Sequence, residues 1–179
     1  MNFVEPIRSL NDLEKIKNLL KFKERDYLLF CIGINTGLRI SDILNLDVID
    51  VQNKDYITIV EKKTKKHKKI ALNNTLQTII KDFLADKNKN GALFKTRFNN
   101  RLDRVQAYRI IKEACNKIDK NLNVGTHTLR KTFAYHHYKQ FKDIALLQKI
   151  LNHSSPSITL KYIGIEQEEI DFSYMSFKL

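Results

Sequence analysis

The chain has 179 residues and 42% hydrophobic content, enough to bury one ordinary core and too little for two. Thirty-two Lys and Arg against 20 Asp and Glu give a formal net charge of +12, which points to an anionic partner, nucleic acid being the commonest, although a merely soluble basic protein has the same balance. Residues 1–20 carry no basic leader with an apolar run, no segment reaches bilayer length, and Cys31 and Cys115 lie far apart in apolar stretches; a single cytoplasmic domain over 1–179, without disulfide or metal site, is expected.

Ser9 stands at an N-cap position, with Leu10, Leu13, Ile16, Leu19 and Leu20 following at helical spacing, and a second helix is predicted over about 24–36. Gly37 suits a helix end or tight turn, and Ser41 restarts a short helix that carries Ile43, Leu44 and Leu46 inward. Arg39 falls in that bend. Residues 48–51, 56–60 and 70–72 read as three short strands in an antiparallel meander. The last two are joined by Lys62, Lys63, Thr64, Lys65, Lys66, His67, Lys68 and Lys69, a basic hairpin tip fit to enter a DNA groove. Helices are predicted over 75–85, 105–118, 127–140 and 144–151, with a further turn from Pro156. The tail, 165–179, carries acidic Glu166, Glu168, Glu169 and Asp171, then Phe172, Met175 and Phe177, and reads as a docking helix or a frayed end.

His127 and Arg130 are three residues apart and share one helix face, where both can reach one anion; alone, such a pair is usually just solvated. Arg39 follows a glycine turn and precedes Asp42, a carboxylate able to hold its guanidinium, or simply a surface ion pair. His153 precedes Tyr162 by nine residues, and a tyrosine there serves equally well as core. Together these are two arginines for a phosphate, two histidines for protons, lysines on a hairpin and a phenol nucleophile, an inventory suited to phosphodiester transesterification.

The order Arg39, hairpin lysine, His127 with Arg130, His153 and Tyr162 resembles the catalytic signature of the tyrosine recombinases, the phage integrase family, over nearly the whole chain. The resemblance implies an α+β, mainly α fold, a helical catalytic domain around a small three-stranded antiparallel sheet, as in DNA breaking-rejoining enzymes. It implies that Arg39 and Arg130 clamp the scissile phosphate and that Tyr162 attacks phosphorus, leaving a 3'-phosphotyrosyl link with no ATP, metal or cofactor. His127 would manage the proton near the nucleophile, and His153 would hydrogen-bond the phosphate. The family register selects Lys63 as general acid, with Lys62, Lys65 and Lys66 as alternatives; Lys62, Lys65, Lys66 and Lys68 are the DNA-binding candidates. Asp42 would support the site by orienting side chains.

Asn152 stands where the family often has glycine, Lys131 where histidine is common, and only 38 residues precede Arg39, so the usual N-terminal DNA clamp is expected to be missing. The resemblance implies double-stranded DNA, further protomers in a tetrameric synapse and, as a helper, an accessory DNA-binding protein, in events such as those of mobile genetic elements. The alternatives are a catalytically weak DNA-binding or regulatory protein on the same fold, and a type IB topoisomerase-like relaxing enzyme.

Overall fold

The computed structural model describes residues 4–61, 66–85, 90–164 and 166–178, with no side chains for 166–169. Helices α1 (Leu10–Leu20) and α2 (Glu24–Thr36) are followed by a five-residue α3 (Ile40–Leu44) and a 3-10 turn (Val48–Asp50). Strands β1 (Tyr56–Val60) and β2 (His67–Ala71) come next, then α4 (Asn74–Leu84), α5 (Arg104–Asn116), α6 (Thr128–Phe141), α7 (Ile144–Leu151), α8 (Pro156–Ile163) and α9 (Glu166–Ser176). Among the described residues no helix is long and apolar enough to cross a membrane.

The fold is mainly helical with a small antiparallel sheet, as expected, but among the described residues the sheet has two strands and not three. β1 and β2 pair antiparallel from Tyr56↔Ala71 to Val60↔His67, so β2 begins earlier than residue 70. Residues 48–51 form no strand. Val48 and Val51 are both buried at i, i+3 spacing, which a single helical turn places on one face and an extended strand does not. A capping box between Asp47 and Asp50 closes that turn.

Local chemistry accounts for the helix ends. Ser9, Asn73, Asp103, Asp143 and Ser155 each accept a backbone N–H from the first turn of the helix they precede. α2, α6, α7 and α8 end on residues in the left-handed conformation: Gly37, Lys142, Asn152 and Gly164. Asn152 has φ 53°, the conformation glycine adopts most freely, which explains why an asparagine can replace one there.

α2 lies at the centre, with Leu28, Leu29, Phe30, Cys31 and Ile32 almost wholly buried in the main core. Cys31 and Cys115 are buried free thiols, and burial pushes them up to about 11 and about 12. A second cluster of Ala134, Leu147, Leu151 and Ile163 packs α7 and α8 onto α6, with Tyr162 at its margin. The N-terminal segment is laced onto this unit: the Ile7 N–H donates to Thr132 Oγ1 at 2.9 Å, and Arg8 Nη2 donates to the Gly164 carbonyl at 3.0 Å.

Candidate active site

α6 crosses α2 closely because α2 has no side chain at two positions. A Cβ on Gly33 would stand 2.4 Å from Leu129 Cδ1, and one on Gly37 would stand 2.4 Å from Phe133 Cδ1. Gly37 also has φ +62°, which turns the chain sharply and makes Arg39 the N-cap residue of α3. His127 is the N-cap residue of α6, one turn before Arg130. Arg39, His127 and Arg130 are thereby brought to the same end of the α2–α6 crossing.

Arg130 is 3% exposed and locked from two sides. Its Nη1 donates to the Gly37 carbonyl at 2.8 Å and its Nη2 to the Leu151 carbonyl at 2.5 Å, joining the turn before Arg39 to the turn before His153. Arg39 lies in an ion pair with Glu61 Oε1 at 3.0 Å and stands 4.0 Å from Asp42 Oδ2. Asp42 is buried in the position expected of it, yet Glu61 is the nearer acid. The Arg39 side chain is 15% exposed, with Nη1 itself buried beside Glu61.

Tyr162 sits on α8 in the middle of these groups. Its hydroxyl is 3.3 Å from His127 Nδ1, and the charge of Arg130 is close enough to pull on its titration. The His153 ring stands edge-on to the Tyr162 ring at 5.1 Å. Burial raises the Tyr162 phenol to about 12, against the opposing pull of Arg130 and Arg39. Burial, and then the two arginines, lower His153 to about 4 and also lower His127, so both imidazoles are neutral near pH 7.

Lys131 occupies the place for which a histidine was the expected type. It is buried, its Nζ lies 4.9 Å above the Tyr162 ring, and burial lowers it to about 8. Lys66 donates to Asn152 Oδ1 at 3.2 Å. Lys68 turns inward, donating to the Ile150 carbonyl at 2.7 Å and standing 4.0 Å from Glu61 Oε1. Burial and the neighbouring arginine charge lower it to about 8. Lys62, Lys63 and Lys65 lie outside the described residues.

The structure thus brings together Arg39, His127, Arg130, His153 and Tyr162, with Asp42 behind them, from segments up to 123 positions apart. One charged neighbour was missed in the sequence, Glu61, and Lys68, named there as a DNA-binding candidate, faces inward. A signal for the first existed: Ile57 and Ile59 face inward along β1, and period-two alternation carries Glu61 to the same face.

Residues 8–169 match the model of the phage integrase family. The chain is 50% identical over 179 residues to the probable integrase/recombinase YoeC of Bacillus subtilis strain 168, covering 99% of this chain and 98% of that one. It is 32% identical over 171 residues to the tyrosine recombinase XerC of Caldanaerobacter subterraneus, covering 88% of this chain and 48% of the other. The chain therefore spans nearly all of the first relative and about half of the second. The fold is also that of the XerH site-specific recombinase, whose crystal structure was obtained as a post-cleavage complex with a palindromic difH substrate. The TM-score is 0.76 at 22% identity, over 96% of this chain and 53% of that one. The chain belongs to the phage integrase family and is a DNA strand transferase of the tyrosine recombinase class.

Proposed function

We propose that the chain cuts and rejoins double-stranded DNA at a specific site, with Tyr162 as nucleophile and Arg39, His127, Arg130 and His153 around the scissile phosphate. The observation that carries this reading is the Tyr162 hydroxyl at 3.3 Å from His127 Nδ1, with the His153 ring edge-on to the same phenol at 5.1 Å. A phenol raised to about 12 must lose its proton as it attacks, and a neutral His127 beside it is the acceptor.

The phenolic oxygen then bonds to phosphorus while the bond from phosphorus to the 5'-oxygen breaks. The departing oxygen takes a proton from a hairpin lysine, for which Lys63 is the proposed donor. Arg39 and Arg130 oppose the charge that grows on the non-bridging oxygens. His153 Nδ1 is 3.0 Å from Thr159 Oγ1, whose hydroxyl donates to the Ser155 carbonyl at 3.4 Å. That contact anchors the ring at Nδ1 and leaves Nε2 as the nitrogen that meets the phosphate. Attack of a second strand's 5'-hydroxyl on the phosphotyrosine reverses these steps and reseals the backbone without ATP.

The DNA partner follows from the class of the chain, its +12 charge and the substrate complex of XerH. Lys62, Lys65 and Lys66 are the proposed backbone contacts of the hairpin. The acting form is a set of protomers on two DNA sites, with residues 165–179 as the docking tail of one 1–179 catalytic domain, and the place of action is the cytoplasm. A non-catalytic binding module is the weaker reading, because a spent site has no reason to keep the nucleophile in contact with a base.

The test is a nicked duplex suicide substrate, built from fragments flanking the gene, incubated with wild type and Tyr162→Phe and run on a denaturing gel. A covalent adduct from the wild type alone is expected. DNA binding without an adduct on any fragment would favour the binding module.

A further inference from the structure

Glu61 takes part in none of the steps above, yet it is 1% exposed and surrounded by the groups that do. A lone carboxylate is poorly tolerated in such a place unless cations and donors surround it. Oε1 has Arg39 Nη1 at 3.0 Å and Lys68 Nζ at 4.0 Å, and Oε2 accepts from Asn152 Nδ2 at 3.3 Å. The partners come from three places: the α2–α3 bend, the second strand of the hairpin, and the turn that presents His153. Asp42, the acid that the family resemblance assigns to this task, stands a full ångström farther from Arg39 Nη1.

Resting on the recombinase reading, we propose that Glu61 is the positioning residue that holds the Arg39 guanidinium where it meets the scissile phosphate. Arg39, Arg130 and Lys68 bring like charges into one half-dry space, and Glu61 is the anion that balances them closest to Arg39. Without that charge, Arg39 swings away from its neighbours toward water. DNA affinity does not suffer, because the variant carries one fewer negative charge.

The test compares Glu61→Gln with wild type on the suicide duplex and on the same duplex with a neutral methylphosphonate at the scissile position. The methyl group removes a charged oxygen and with it most of the demand for a guanidinium. Single-turnover cleavage of the ordinary phosphate should fall about 10- to 100-fold while DNA affinity holds or tightens. On the methylphosphonate the gap between variant and wild type should nearly close. Equal gaps on both substrates would show a merely structural role and overturn the proposal, as would undiminished cleavage of the phosphate. Glu61→Asp keeps the charge one methylene short and should cleave at an intermediate rate; if the glutamine variant does not fold, the aspartate variant makes the same two-substrate comparison. A wild type that forms no adduct on any fragment fails the recombinase reading instead, and is distinguished by that control.

Discussion

The residues of the site are held with unusual electrostatic demands, and their titration exposes them. His153 is lowered to about 4 by burial first and by Arg130 and Arg39 next. An unfolded histidine titrates near 6.5. Below that value the unfolded chain takes up a proton that the folded one refuses until about pH 4, so the His153 contribution to folding stability falls on acidification through this window and is constant above it. His127 and His137, also lowered, act in the same direction. A proton–carbon NMR titration should place the His153 midpoint near 4; a midpoint near 6.5 would mean the ring is solvated and not packed against Tyr162. Replacing Tyr162 with Phe removes a hydroxyl and leaves the ring under Lys131, so the fold should survive while the covalent step is lost.

Among the elements, the crossing of α2 and α6 sets the distance between the two arginines. Gly33 permits it: an alanine Cβ would stand 2.4 Å from Leu129 Cδ1 and 2.8 Å from Leu129 Cβ. Gly33→Ala gains about 1 kcal/mol of helix propensity but forces the helices apart at a cost of about 1–3 kcal/mol. The net expectation is a lower urea midpoint together with slower cleavage, since Arg130 reaches the Gly37 carbonyl only across this crossing. A Gly33→Ala protein as stable and as active as wild type would show that the contact relaxes without moving the site. α7 and α8 are held less broadly, by a small cluster around Leu147, Leu151 and Ile163, so the nucleophile rides on the thinner part of the fold.

At the scale of the whole molecule, α9 and the residue after it leave Ile170, Phe172, Tyr174, Met175 and Phe177 between 43% and 83% exposed. Apolar side chains so closely spaced on water fit an interface, and on the proposed reading, exchange between two DNA sites, a second protomer is the fitting occupant. Removing residues 166–179 should leave the remaining chain folded and able to cleave one site, and should abolish exchange between two. Thermal melting, the suicide substrate and a two-site recombination assay separate these outcomes, and recombination by the truncated protein at the wild-type rate would refute the docking role.

The family, the helices and the side chains that the fold gathers into one place were legible in the chain by itself. Arg39, His127, Arg130, His153 and Tyr162 carry a recognisable order, and helix periods and caps are local properties of a few neighbouring residues. Asp42 was legible for the same reason, lying three positions from the arginine it faces. Residues 48–51 misled because a short apolar run is ambiguous between a strand and a helical turn, and here the Asp47–Asp50 capping box decides. Only the tertiary structure decided which acid lies closest to Arg39, which way Lys68 points and what Arg130 holds. Each depends on a long-range contact: Glu61 lies 22 positions from Arg39, Lys68 lies 82 from Ile150, and Arg130 lies 93 from Gly37. Partners of that kind are chosen by burial and packing, which desolvate a charge and leave it only the neighbours that the fold supplies.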